Sequence, residues 1–343
     1  MATDPVPPRR ARRGSGAVTL HDIAKLAGVA PITASRALNS PEQVSDAVRR
    51  KVSEAIARTG YVPNILAGGL ASSRSRLVAA VVPTISGPVF LETIRSLTDA
   101  LAEHGYQLML GQSGYVGNRE DALLNAIIGR RPDGIVLTGI LHSADGRKRL
   151  LSAGIPVVET WDLTPTPIDM LVGFSHVEVG RAVARFLHTK GRRRLAIVSG
   201  SDERARRRQH AFEAAAQDLG LDAVRAVVVP APTTLKSGRV AVAELMQGPE
   251  IDAVFCSSDL LALGVMTEAR ARGIEVPGQL AIVGFGDLEF AADLHPALTT
   301  VRINGAAIGR QAAQFIVDRA EGRAVDPRVV DIGFSVIERQ TTN

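Results

Sequence analysis

The 343-residue chain is poor in the residue types that build metal centres, disulfides and aromatic platforms. A single cysteine, Cys256, excludes an intrachain disulfide and a four-cysteine zinc site. One Trp and three Tyr leave little material for aromatic cages or base-stacking surfaces. The seven histidines are scattered without metal-ligand spacing, so neither a metal nor a cofactor is expected. No apolar run approaches the roughly 20 residues that span a bilayer, and the start PPRRARRGSGA lacks the apolar core of a secretion signal. A cytoplasmic protein without membrane contact is therefore expected. Enzyme chemistry finds little footing: no G-x-x-x-x-G-K-[ST], H-E-x-x-H or G-x-S-x-G occurs, and GFGDLE lacks the third glycine of a dinucleotide loop.

What the chain does have is apolar bulk and an uneven charge. Hydrophobic residues make up 45% and charged residues 22%, the balance of a folded α/β protein with about two or three domains. Residues 1–76 hold twelve Lys/Arg against five Asp/Glu, net +7, which leaves 28 against 30, net −2, for the remainder. A basic head on a near-neutral body suits a chain whose head alone touches a polyanion. A solvated basic tail is the plainer account of Arg9, Arg10, Arg12 and Arg13.

Residues 1–17, rich in Pro, Arg, Gly and Ser without periodicity, read as a disordered basic arm. Three short helices follow within residues 18–62. Thr19 and Asp22 have the spacing of a capping box, Ile23, Leu26 and Ala27 form one apolar face, and Gly28 closes the first helix. Pro31 suits the first turn of a second helix, although Ala30 before it is a poor cap. Ser45 caps a third, with Val48, Val52, Ala55 and Ile56 on one face up to Gly60. Residues 63–76 read as a hinge or linker: ILAGGLASSR is helical in pattern except for Gly68 and Gly69, which together cost about 2 kcal/mol relative to alanine. From Leu77 strands and helices alternate, and the rhythm restarts near Met170, which predicts two similar α/β halves with parallel sheets and a cleft between them over 77–343. Ligands of such sheets bind at the carboxyl ends of the strands, making VVP/TISG, VET/W, VSG/SDER, CSS/D and GFG/D the candidate pocket edges.

Two short helices around a tight turn, with Ala24 and Gly28 at the crossing, fit a helix-turn-helix, although the same geometry serves ordinary helix packing. Residues 19–72, TLHDIAKLAGVAPITASRALNSPEQVSDAVRRKVSEAIARTGYVPNILAGGLAS, resemble nearly end to end the DNA-binding head of the lac-repressor family of bacterial regulators. The resemblance runs on through VVPTISGPVF, DGIVLTG, AGIPVVE, CSSDLLALGVM and VPGQLAIVGFGDLEFAADLHPALTTVR, and is greatest to gluconate-operon repressors. It implies an all-α helix-turn-helix head, and a periplasmic-binding-protein-like α/β body of two Rossmann-like parallel-sheet subdomains. It also implies a homodimer, or a tetramer, on palindromic operator DNA; without a leucine-heptad tail after Arg339, the dimer is favoured.

By position the resemblance places Pro31, Ile32 and Arg36 against bases, and Thr19, Thr33, Ser35 and Asn39 at phosphates. Arg36 suits a bidentate guanine contact, whereas Pro31 and Ile32 offer only apolar contact; Ile32 as a core residue is the alternative. Leu70 aligns with a hinge leucine that wedges into the minor groove, and the weak helix around it would fold only on DNA. In the body, Arg208, four residues before Phe212, stands where the family keeps a basic residue that clamps ligand oxygens, its planar fork suiting a carboxylate or vicinal hydroxyls. Its neighbours Arg204, Arg206 and Arg207 read as a solvated helix face. Phe90 matches a pocket wall, Ser258 and Asp259 a polar edge, and Asp287 an acidic hydroxyl acceptor. Glu159 and Trp161, assigned to the loop after the fourth strand, add a hydrogen bond and a flat wall, or form an exposed edge. Gly286 departs from the paired acids of many sugar-binding relatives, which fits an anionic effector such as gluconate. The expected protein is an effector-controlled repressor of sugar or sugar-acid utilisation genes. A periplasmic solute-binding protein or an activator of the same family are the alternatives.

Overall fold

The computed structural model describes residues 18–62, 74–115, 117–140 and 143–343. Both the basic arm and the hinge stretch with Gly68, Gly69 and Leu70 lie outside the described residues. Contacts divide the chain into two compact units, Met1–Ser75 and Arg76–Asn343.

The first unit contains α1 (Leu20–Ala27), α2 (Pro31–Asn39) and α3 (Asp46–Thr59). The Thr19 hydroxyl accepts from the Asp22 amide at 3.3 Å while the Asp22 carboxylate accepts from the Thr19 amide at 2.9 Å, closing the reciprocal cap. The Thr19 hydroxyl, which donates to the Asp22 carboxylate at 2.7 Å, and then the Thr19 amide hold that carboxyl below its ordinary value. Gly28, at φ 64°, takes the left-handed conformation that ends α1 and turns the chain at once toward α2. Ile23, Ala24, Ala27, Ala34, Val52 and Ala55 form the buried core, with Leu20, Leu38, Val48 and Ile56 packed around it. Because four of those six are alanines, the helices approach closely and little apolar area holds them together.

The second unit has two six-stranded sheets. The first lobe runs through β1 (Leu77–Val82), α4 (Leu91–Glu103), β2 (Gln107–Gln112), α5 (Gly117–Ile128), β3 (Gly134–Thr138), α6 (Ala144–Ala153), β4 (Val157–Thr160) and β5 (Met170–Gly173). The second holds α7 (His176–Thr189), β6 (Leu195–Gly200), α8 (Glu203–Asp218), β7 (Arg225–Val229), α9 (Leu235–Leu245), β8 (Ala253–Cys256), α10 (Asp259–Ala271), β9 (Ala281–Gly286) and β10 (Thr299–Arg302). The chain then returns through α11 (Gly305–Ala320) and β11 (Val329–Asp331) before β12 (Ser335–Ile337). Strand orders are β11-β5-β4-β3-β1-β2 and β12-β10-β9-β8-β6-β7, parallel except for β12 against β10. Strands such as β1, β4, β6 and β8 are buried on both faces because helices cover both sides of each sheet.

Two expectations about this unit need correction. Met170–Gly173 belongs to the first sheet, where it lies between β4 and β11, and does not open the second half. The halves are also interleaved. The chain passes between sheets after β5, after β10 and between β11 and β12, and α11 packs on α4 of the first lobe. Three crossings rather than one join the lobes.

Candidate functional site

In the head, α2 buries Ala34 completely and turns its other face outward. Thr19, Pro31, Ile32, Arg36 and Asn39 are exposed, and Thr33 and Ser35 are half-buried. Ile32 is 62% exposed, which removes its reading as a core residue. Asn39 Nδ2 donates to Ser35 Oγ at 3.3 Å. Arg36 makes no ion pair among the described residues, so its guanidinium keeps its donors for an external partner. An exposed helix face carrying one unpaired Arg, one Asn, hydroxyls and an apolar side chain is chemically suited to base edges and phosphates.

In the body, the strand ends of the two lobes meet around a 70 Å³ cavity lined by Phe90, Tyr115, Trp161, His176, Arg204, Arg208, Thr233, Ser258 and Phe285 among others. A neighbouring cavity of 370 Å³ shares Tyr115, Asp202 and Arg204 with it.

Arg208, on the second turn of α8, is 5% exposed. One Nη1 hydrogen goes to His176 Nδ1 at 2.9 Å and one Nη2 hydrogen to the Ser257 carbonyl at 3.1 Å. The guanidinium lies 3.9 Å from the centre of the Phe285 ring. No carboxylate among the described residues forms an ion pair with it, and its buried Nε has no hydrogen-bond partner. Burial accordingly pulls its pKa down to about 10, a cost to the charged form that an incoming anion would offset.

The aromatic wall is built around Trp161. Its backbone sits at φ 66°, its indole donates to Thr93 Oγ1 at 3.0 Å, and its ring meets Phe90 edge to face at 5.0 Å. Phe90, Trp161, Arg208 and Ser258 thus come together; Ser258 caps α10 and its Oγ lies 3.0 Å from Thr233 Oγ1.

Three expected residues stand apart from the cavity. Glu159 lies within β4 rather than on the loop after it, fully buried, accepting from the Ile168 amide at 2.6 Å. Asp259 is also fully buried and accepts from Thr300 Oγ1 at 2.6 Å and from the Leu288 amide at 2.7 Å. It pins the loop after β9, and burial pushes its carboxyl up to about 6. Asp287, at φ 49°, is held by Arg302 at 2.5 Å and by Arg339 at 2.8 Å, and lines a separate 940 Å³ groove with Pro88 and Arg95.

The solvated-face reading of α8 holds for Arg206, which is exposed, and fails for two neighbours. Arg204 reaches across to the Thr138 carbonyl at 3.3 Å and stacks over Phe90 at 5.3 Å. Arg207 pairs at 3.2 Å with Asp162, which is buried in the first lobe. Tyr115, His176, Thr233 and Phe285 were not singled out from sequence. They follow or end strands of the α/β rhythm, and that placement was the available signal.

An all-helical head with an outward-facing second helix, joined in sequence to a two-lobed α/β body with a charged cavity at the strand ends, is the architecture of a DNA-binding transcriptional regulator. Residues 19–64 match the lacI family of bacterial regulatory proteins, and residues 184–342 match the periplasmic binding protein-like domain. The chain is 35% identical over 333 residues to the HTH-type transcriptional regulator GntR of Pseudomonas aeruginosa, covering 96% of this chain and 97% of the relative. It is similar to the GntR regulator of Escherichia coli at 33% identity, over 92% and 96% of the two chains. A crystal structure of a LacI-family regulator from Silicibacter pomeroyi superposes with a TM-score of 0.89 at 33% identity, covering 95% of this chain and 99% of that one. The fold is also that of the lac repressor dimer bound to operator, at a TM-score of 0.79 and 22% identity. The chain belongs to the lacI family of transcriptional regulators, in the subgroup of the gluconate-operon regulators.

Proposed function

We propose that the protein is a cytoplasmic homodimeric repressor of sugar-acid utilisation genes. Its two heads read a palindromic operator through Thr19, Pro31, Ile32, Thr33, Ser35, Arg36 and Asn39, with Leu70 at the operator centre. A gluconate-like anion binds between the lobes of the body and loosens the hold on DNA. The observation that carries the anionic effector is Arg208: a buried cation with no carboxylate among the described residues in ion-pair contact, Asp202 and Asp162 acting on it only from a distance, and with an unused Nε–H is an incomplete site, and a carboxylate completes it. Phe90 and Trp161 supply the flat apolar wall, and Ser258 a hydroxyl edge. The names of the GntR relatives support gluconate as the first ligand to try. Capture of Asp287 by two arginines leaves fewer carboxylates for sugar hydroxyls, in keeping with an acid rather than a neutral sugar.

The test is a fluorescence-anisotropy titration onto DNA from the protein's own promoter region at fixed salt, with and without gluconate. Release by gluconate and none by glucose is expected, and Arg208→Ala should abolish that release. Binding indifferent to gluconate would discard this ligand, and release that survives Arg208→Ala would move the site elsewhere.

A further inference from the structure

Arg208 is steered by a residue that neither its sequence neighbourhood nor its charge reveals. His176 begins α7, immediately after the first crossing between the lobes, and is 2% exposed. Its Nε2 lies 2.9 Å from the Trp161 carbonyl oxygen and its Nδ1 lies 2.9 Å from Arg208 Nη1. A carbonyl oxygen only accepts and a guanidinium only donates, so both contacts are hydrogen bonds for one protonation form alone: neutral, with the hydrogen on Nε2 and a bare Nδ1. The charged groups of α8 that face the ring are Arg204, Arg207 and Arg208, all cations, and burial with Arg208 beside it holds the imidazole well below its ordinary value.

The contacts continue on either side of the ring. Trp161, the acceptor of the Nε2 hydrogen, carries the cavity's flat wall and is itself tied to Thr93 on α4. Arg208 is tied at its other end to the Ser257 carbonyl after β8. Four buried groups from both lobes thus stand in one line, Thr93, Trp161, His176 and Arg208, and the imidazole is the member that joins the wall to the cation. With one Nη1 hydrogen and one Nη2 hydrogen fixed, the guanidinium cannot rotate about its long axis without breaking both bonds. Its Nε–H and one remaining hydrogen on each terminal nitrogen are left for a ligand.

We infer that His176 is the positioning residue of the effector site: as a fixed Nε2–H imidazole it orients the Arg208 fork for a side-on carboxylate and ties that orientation to the Trp161 wall. This inference rests on the reading of the Arg208 cavity as the effector site. It adds that His176 acts through acceptance of the Arg208 hydrogen bond, not through charge or bulk.

Three substitutions separate these roles in the full chain. In His176→Asn an amide oxygen takes the place of Nδ1 and still accepts from Arg208. His176→Gln restores a donor toward Trp161 but offers Arg208 no acceptor there, and His176→Phe retains bulk alone. Calorimetric titration with gluconate should give His176→Asn an affinity within about 3-fold of wild type, and a loss of about 10- to 100-fold for His176→Gln and His176→Phe. Equal losses in all three, or wild-type affinity in His176→Phe, would overturn the assignment. Nitrogen-15 NMR of the wild-type histidines needs no ligand and no variant that must fold: His176 should show an unprotonated Nδ1 and a protonated Nε2 at neutral pH. A protonated Nδ1 would refute the inference. Should wild type fail to bind gluconate while the NMR pattern is as expected, the sugar-acid reading falls and the positioning of Arg208 by His176 stands.

Discussion

Ile23→Ala is expected to make operator binding temperature-sensitive by unfolding the head. Ile23 is fully buried in a core whose other five buried members are Ala24, Ala27, Ala34, Val52 and Ala55. It is the largest side chain there, in a helical unit far below the size at which a single core is secure; such units hold a reserve of about 3–5 kcal/mol. Truncating a buried isoleucine to alanine costs about 2–5 kcal/mol, and the alanine-rich surroundings have little side-chain length with which to refill the space. A loss of about 3 kcal/mol leaves about 0–2 kcal/mol, so between a few per cent and half of the heads are unfolded at about 25 °C. Warming removes the remainder. The assay is anisotropy on promoter DNA over a temperature series, paired with an amide NMR fingerprint of the full chain in which the head resonances are followed separately. Arg36→Ala is the contrast: its exposed side chain carries no packing, so it should erase preference for the operator over other DNA by about 1–3 kcal/mol while the head resonances stay dispersed. The reasoning fails if Ile23→Ala binds operator within about 2-fold of wild type at every temperature with a folded head.

The Asp259 carboxyl, pushed up to about 6 from an ordinary 3.8, holds its proton more tightly in the folded than in the unfolded chain. Its contribution favours folding below pH ~4 and is lost as the pH rises through ~6, a change of about 3 kcal/mol. Urea-unfolding midpoints of wild type against Asp259→Asn should diverge across that window, and parallel pH profiles would contradict it. Asp162→Asn removes the ion pair to Arg207 that joins the two lobes at 3.2 Å. About 1 kcal/mol of lost coupling would shift lobe opening about fivefold, read as faster hydrogen exchange around residues 160–163, and unchanged exchange would show that the pair does not hold the lobes. In Gly180→Ala the new Cβ would stand 2.3 Å from the Arg208 carbonyl oxygen and 2.9 Å from the Phe212 amide nitrogen, so α7 must move off α8. A stability loss of about 1–3 kcal/mol, seen as a lower melting temperature, is expected, and an unchanged melting point would mean that this helix contact is looser than it stands.

The chain by itself determined whatever depends on near neighbours. The Thr19 and Asp22 cap, the Gly28 turn, Pro31 at the start of α2 and the apolar strands between helices are each fixed by residues within about one helical turn or one strand of each other. The DNA-facing residues of α2 and the place of Arg208 before Phe212 came instead from the resemblance to the lac-repressor family, carried over position by position. Tertiary structure decided the rest, because it depends on which distant groups meet. Met170–Gly173 has the apolar run of any buried strand, and only pairing with β4 and with a strand some 160 residues later puts it in the first sheet. Asp287 was a free carboxylate on paper and is taken by Arg302 and Arg339; Glu159 was assigned to a loop and lies buried within β4. Arg204 and Arg207 looked like a charged helix face until the first lobe brought Thr138 and Asp162 to them. His176 carried no signal of its own, since the form it takes is set by a carbonyl 15 residues before it and a guanidinium 32 residues after it. Hydrogen-bond and charge partners are chosen by packing across the lobes, and no local pattern encodes that choice.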